Sequence, residues 1–249
     1  MTGPLDPRAR FSTAAERYHR HRPAYPVALF DWLIRYARLA PGAPVADIGC
    51  GTGISTRQLV ERGLDVVGVD PNEDMLAYAR AAGGARYERG EAAATGLPAA
   101  AFDLVTVAQA FHWFEVPLAL REIRRVLRPG RACVAFWNLR GASPFNEEYD
   151  RLLRQHSTEY AVLEKPAATT ATLRERPEIH DVEETELPNR QRLDREGLVG
   201  RAWSSSYVTH GLADPEGFER ALGDLFERHA RDGAVDFVYR TVAIGFRFR

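Results

Sequence analysis

Three glycines at alternate positions, Gly49, Gly51 and Gly53, close the apolar run Val45-Ala46-Asp47-Ile48, and the segment Ile54 to Val60 then has the pattern of a helix. A strand, a tight glycine turn and a helix start form a nucleotide-binding geometry. So sharp a turn visits backbone angles closed to other residues, and a ligand can approach the main chain without meeting a β-carbon. Further along, Asp70 ends the apolar run that starts at Asp65. An acid at the carboxyl end of a second strand, beside the first crossover, can take both hydroxyls of a ribose on one carboxylate. A plain cap for the helix beginning at Glu73 is the other reading of Asp70. A fourth run, Phe102 to Ala108, delivers Gln109-Ala110-Phe111-His112-Trp113-Phe114 to the carboxyl edge of a sheet, and a fifth, Cys133 to Trp137, brings Trp137 and Asn138 to the same edge. His112 is the candidate general base; a histidine hydrogen-bonded within an aromatic core is the alternative.

The spacing Gly-x-Gly-x-Gly departs from the dinucleotide fingerprint, whose third glycine arrives one residue later. Asp47-Ile48-Gly49-Cys50-Gly51-Thr52-Gly53 resembles instead the first motif of the class I S-adenosylmethionine-dependent methyltransferases, in their small-molecule, type 11-like branch. The resemblance implies that Asp47, Gly49, Cys50, Gly51 and Gly53 surround the methionine part and ribose of S-adenosyl-L-methionine. It puts Asn72 and Met75 against the adenine, and Glu91 and Ala92 at the adenine edge, where family members often carry Gly-Asp-Ala and this chain has Gly90-Glu91-Ala92. Phe11, Tyr18, Arg22-Pro23 and Tyr25-Pro26 are similar to the N-terminal segment that folds over the bound cofactor in that family. Tyr18 and Gln109 are thereby expected at the cofactor, and Arg22, Tyr25, Trp113, Trp137 and Asn138 at the substrate. An amphipathic helix plugging a groove is the other reading of the N-terminal stretch. The implied activity is methyl transfer to a small organic molecule, giving S-adenosylhomocysteine. A base such as His112 serves a phenol, amine or acidic carbon, and a carboxylate needs none. Two other functions share the loop: a scaffold that binds the cofactor without transferring methyl, and an NAD-dependent oxidoreductase, whose Tyr-x-x-x-Lys pair Lys165 does not complete.

The elements that must position these residues fit one α/β fold. The resemblance implies a Rossmann-like sheet of seven strands, mostly parallel, with helices on both faces and an antiparallel last strand, Val235 to Phe248. The order of a helix over Phe218 to Phe226 and then this strand suits an edge hairpin closing the sheet. Ser12 is expected to cap a helix over 13–20; Leu29, Phe30, Leu33, Ile34 and Ala37 share one face of the next helix; and an amphipathic helix over 118–127 ends at Arg128-Pro129-Gly130. The chain reads as a single domain, 1–249, with an N-terminal lid of about 1–25 and a substrate-cap insertion of about 141–206 after the fifth strand.

With 249 residues, 45% of them hydrophobic, the chain can bury a proper core. No apolar run approaches the roughly 20 residues that cross a bilayer, and the first residues have no apolar signal core, so a cytoplasmic protein without a membrane partner is expected. A net charge of -1 argues against broad electrostatic capture of nucleic acid and favours a small-molecule substrate; a homodimer is left open. Cys50 and Cys133 are the only cysteines and read as buried free thiols, with neither a disulfide nor a metal site indicated.

Overall fold

Seven strands form one sheet, the apolar runs at its centre among them: β1 (Pro44–Ile48), β2 (Asp65–Asp70), β3 (Arg86–Arg89), β4 (Phe102–Ala108), β5 (Leu127–Arg140), β6 (Ile179–Leu193) and β7 (Val235–Phe248). The structure, a computed structural model, describes residues 15–160 and 172–249. The expected cap Ser12, Phe11 and Lys165 lie outside the described residues. The strand order is β3-β2-β1-β4-β5-β7-β6. β1 pairs in parallel with β2 on one side and β4 on the other, so the chain reverses its direction of progress at β1. Such a switch point leaves a crevice at the carboxyl ends of β1 and β4, where open α/β sheets bind ligands.

Alternation along the strands builds a core on each face. Val45, Val66 and Leu104 pack with Leu29, Phe30 and Leu33 of α2 (Val27–Ala37) and Leu59 of α3 (Ile54–Val60). Ile48, Val67 and Val105 pack on the other face with Leu120 and Ile123 of α5 (Val116–Val126). Full burial of side chains such as Leu29, Leu33 and Ile123 stabilises the fold by about 1.5–3 kcal/mol each. Ile34 is only partly buried, and Tyr36 takes its place inside. A third apolar cluster joins Tyr149 of α6 (Pro144–His156), Leu198 of α7 (Arg195–Trp203) and Phe218 and Leu222 of α9 (Pro215–His229) to Phe237 of β7. Further helices among the described residues are α1 (Ala15–His21), α4 (Glu73–Ala82) and α8 (Ser206–Thr209).

Two features differ from the sequence reading. β7 is antiparallel as expected, but it is no edge hairpin: it pairs with β5 on one side and β6 on the other. β6 lies within 141–206, the stretch read as an insertion. Its sequence, Ile-His-Asp-Val-Glu-Glu-Thr-Glu-Leu-Pro-Asn-Arg-Gln-Arg-Leu, is polar and largely exposed between buried ends. An edge strand blunted by charges and a proline carries little apolar alternation, which is why the pattern concealed it.

The segment following β3 is held by Glu122 of α5. That carboxylate accepts hydrogen bonds from Thr95 N at 2.9 Å and Thr95 Oγ1 at 2.6 Å, and from Arg125 Nε at 2.7 Å. Arg125 first, and Thr95 with it, hold the Glu122 carboxyl well below its ordinary 4.5, down to about 2. A depressed carboxylate pKa contributes stability that is present above the unfolded value and lost as the pH falls through the folded one. Glu122→Gln should therefore lose about 1–3 kcal/mol at neutral pH. In urea denaturation of both proteins, the gap should close between pH 4.5 and about 2.

Candidate functional site

The turn after β1 is tied to the end of β2. Gly49 N and Cys50 N both donate to the Val69 carbonyl, at 2.7 and 3.1 Å. The Asp70 carboxylate accepts from Gly51 N and from Asn72 N, each at 2.9 Å. Burial pushes the Asp70 carboxyl up, and these two backbone donors oppose it. The cap of α4 is Asn72, whose Oδ1 accepts from Met75 N at 3.1 Å, so the plain-cap reading of Asp70 is not what the chain does.

Asp47 lies beneath the turn with 0% exposure. Ser55 and Thr56 of α3 donate to one of its oxygens at 2.7 and 2.6 Å, and Thr106 of β4 to the other at 2.8 Å. Burial raises its pKa and the three hydroxyls counter that. Asp47 thus braces the loop from below and lines neither of the cavities in front of it, contrary to the expectation of a residue against the cofactor.

Two adjoining cavities, one larger than the other, open at the carboxyl ends of β1 and β4. Tyr18, Gly49, Gly51, Ala108 and Gln109 are walls of both. The larger runs between Asp70, Asn72 and Met75 on one side and Ala110, Trp113 and Phe114 on the other. The smaller is closed by Arg22, Tyr25, Cys50 and Ser55. Tyr25 is held there by Gln58, which accepts from its N–H at 3.0 Å and donates to its carbonyl at 2.9 Å. Gln109 takes a positive φ of 56°, uncommon for a residue with a side chain, and its Nε2 donates to the Asn138 carbonyl at 3.2 Å.

The glycines differ in what they leave open. A β-carbon on Gly49 would stand 2.5 Å from that of Ala110, whereas one on Gly51 would meet nothing within 4 Å. Gly49 is required by the protein's own packing; Gly51 faces a cradle that a bound group can fill. A β-carbon on Gly53 would strike the Tyr87 hydroxyl at 2.5 Å, so Gly53 serves packing and lines neither cavity.

Several expected site residues are placed elsewhere. Trp137 is a core residue, 1% exposed, with its Nε1 buried and unpartnered. Asn138 cross-links the sheet: its Oδ1 accepts from Thr241 at 2.6 Å and Asn189 at 3.1 Å, and its Nδ2 donates to the Ala24 carbonyl at 3.3 Å. Glu91 is exposed in a bridge with Ala94, and Ala92 packs on the core. His112 lies in the short turn Phe111–Trp113 with its ring 5.0 Å from that of Trp113. Burial, and then the charge of Arg22, lower its pKa to about 4, and its Nδ1 is buried without a partner. Burial also pushes the Cys50 thiol well up, leaving an unreactive side chain in the loop. Phe114, read to the carboxyl edge with its cluster but given no role, is a wall of the larger cavity, and sequence reasoning missed Pro71, Ala108 and Ser55, walls drawn from positions with no motif of their own. Among the described residues no group of three or more His, Cys, Asp or Glu could hold a metal, and no helix is long and apolar enough to cross a membrane.

Residues 46–135 match the family described as methyltransferase domain. An uncharacterized methyltransferase of Mycobacterium tuberculosis is 44% identical over 131 residues, 52% of this chain and 52% of its own length. A structure from Anaeromyxobacter dehalogenans, described as a candidate type II methyltransferase, superposes with a TM-score of 0.65 at 28% identity, over 91% of this chain and 97% of that one. The matched segment, residues 46–135, is thus similar to methyltransferase domains of the type 11 kind. It spans about half, 52%, of the length of the curated relatives it matches. The chain also shares its fold with a phosphoethanolamine N-methyltransferase of Haemonchus contortus in complex with S-adenosyl-L-methionine, with a TM-score of 0.57 at 17% identity over 98% of this chain and 60% of that one.

The two loop glycines Gly49 and Gly51 separate in a melting experiment. Alanine at either carries a positive-φ cost of about 1 kcal/mol or somewhat more. Gly49→Ala adds the collision with Ala110, about 1–3 kcal/mol further. Gly49→Ala is expected to melt several degrees below Gly51→Ala; equal melting temperatures would mean that both glycines are open alike.

Proposed function

We propose that this chain transfers a methyl group from S-adenosyl-L-methionine to a small organic molecule. The observation that carries the reading is the pair of cavities sharing Gly49, Gly51 and Gln109 at the switch point, the larger bounded by an acid already locked to the loop. S-adenosyl-L-methionine, when bound, supplies a methyl group activated on a sulfonium.

The chain's part is to bind, align and keep water out. Asp70 spends one hydrogen bond per oxygen on Gly51 and Asn72, and a carboxylate has about four acceptor positions, so it retains capacity for two ribose hydroxyls. Met75 and Phe114 give the apolar walls that suit a purine, and the faces of Tyr18 and Trp113 suit a cation. Gln109, held at a strained φ between both cavities, is placed to orient groups on either side. His112 stays neutral at physiological pH because of burial and Arg22, so it is a poor proton acceptor, and its part is to shape the acceptor side. The acceptor in this reading is a small molecule, with neither nucleic acid nor a membrane as partner, in keeping with the net charge of -1.

Titration calorimetry tests the reading directly. S-adenosylhomocysteine should bind and NAD should not; tighter binding of NAD would defeat it. Asp70→Ala should weaken S-adenosylhomocysteine by about ten- to a hundredfold, the worth of a charged acceptor. Because a folded pKa near 4 keeps His112 uncharged, turnover should show no histidine inflection between about pH 6 and 8, whereas an ordinary imidazole base would give one near 6.5.

A further inference from the structure

Beside the smaller cavity, three distant segments bring guanidinium groups together. Arg22, which follows α1 and walls that cavity, donates to the Ser204 carbonyl at 3.0 Å and lies 4.7 Å over the Tyr18 ring. Its Nε is buried without a partner. Arg201 of α7, 5% exposed, donates from Nε to the Tyr239 hydroxyl at 2.9 Å and from Nη1 to Ser205 Oγ at 3.0 Å. Ser205 Oγ is also 3.5 Å from Arg22 Nη2, so one hydroxyl stands between the two cations. Arg140, at the end of β5, reaches the Tyr207 hydroxyl at 3.4 Å and Asp150 at 3.8 Å.

Arg140 has its acid in Asp150. Among the described residues, the hydrogen bonds of Arg22 and Arg201 go to hydroxyls and a carbonyl and to no carboxylate. Like charges placed together out of water repel, and a buried charge without its counter-charge is strongly unfavourable. Burial first and then Arg201 weaken the hold of Arg22 on its proton. The Tyr207 phenol reports the same field: burial pushes it up, yet Arg140, Arg201 and Arg22 outweigh that and bring it down to about 8. The Tyr149 hydroxyl, fully buried and in the electrostatic reach of Arg201, Arg140 and Tyr207, has no partner either. The unmet groups here are Arg22 Nε–H and the Tyr149 hydroxyl, both able to donate, and the charge around them is positive. What completes such a site is a ligand bearing anionic oxygens.

We propose that the methyl acceptor carries an anionic oxygen group, a carboxylate or a phosphate, and that Arg22 and Arg201, with the hydroxyls of Tyr149 and Tyr207, receive it beside the smaller cavity. This rests on the methyl-transfer reading and deepens it. An acceptor anchored by its charge is aligned at one end, leaving the rest of the molecule in the cavity bounded by Tyr25 and Gln109. A neutral amine or phenol of the same size leaves both guanidiniums without a counter-charge, so the pocket discriminates by charge before shape.

The test uses the full chain, saturated with S-adenosylhomocysteine, at constant ionic strength. Succinate, inorganic phosphate and the neutral succinamide are the probes, read by calorimetry and melting temperature. Succinate or phosphate should bind and raise the melting temperature and succinamide should not; which anion binds more tightly tells a carboxylate from a phosphate. Arg22→Met and Arg201→Met should each weaken the anion by about tenfold or more, the scale of a lost charge-assisted hydrogen bond pair. Methionine keeps the bulk while removing an unneutralised charge, so melting temperatures near wild type are expected; if Arg201→Met does not fold, Arg22→Met and Arg201→Lys decide. The proposal is overturned if S-adenosylhomocysteine binds and neither anion does, or if the arginine variants bind succinate as wild type does. If S-adenosylhomocysteine itself fails to bind while the anion response persists, the methyl-transfer reading falls, and with it the assignment of the anion as acceptor.

Discussion

A carboxylate with no exposed surface stands at the junction on which the site depends. Asp47 joins β1 to the first turn of α3 through Ser55 and Thr56 and to β4 through Thr106. These are the elements on either side of the switch point. A buried charge is tolerated only when its lone pairs are met, and three hydroxyl donors meet those of Asp47 without introducing a positive charge. The consequence is geometric: the turn holding Gly49 and Gly51 cannot lift from the sheet without stripping a carboxylate of its donors. Asp70 completes the arrangement from above, since its bond to Gly51 N fixes the loop against β2. Two acids, one structural and one facing the cavity, therefore set the position of one loop.

The crevice is electrostatically two-sided. Around Asp70 the polar groups are a carboxylate and backbone amides, suited to hydroxyls. On the far side Arg22, Arg140 and Arg201 gather around Tyr207, suited to anionic oxygen. Gln109, Tyr18 and the glycine loop divide the halves. Neutral His112 fits this division: the nearby guanidinium that suits an anion also disfavours an imidazolium. The N-terminal segment owes its position to the arginine side as well, because Arg22 is held by Ser204 and the His21 carbonyl by Gln191.

Much of the sheet half was legible because its signals are local. β1, β2 and β4 are buried on both faces and read as apolar runs, and the glycine turn declares itself by residue type. The other half was less so. β6 is an exposed edge strand whose charges hide its period, and β7 could be read as a strand but not placed, since nothing in its own residues says which neighbours it takes. Trp137 and Asn138 were read to the ligand edge from their position at the end of an apolar run, yet one turns into the core and the other ties three strands together. A strand's end fixes where a residue is, and only packing fixes where its side chain goes.

The sequence by itself determined the α/β class, the loop and the acid that faces it, because strand period, glycine turns and the spacing from Gly49 to Asp70 are properties of neighbouring residues. Only the tertiary structure decided that Asp47 is a brace, that His112 is neutral, and that Arg22 and Arg201 meet at the Ser205 hydroxyl with Arg140 nearby on Tyr207. Arg22 and Arg201 are 179 positions apart by number, and their meeting depends on α7, which follows β6, packing against α1. Hydrogen-bond partners and desolvation are set by what the whole chain packs around a group, and no stretch of neighbouring residues contains that information.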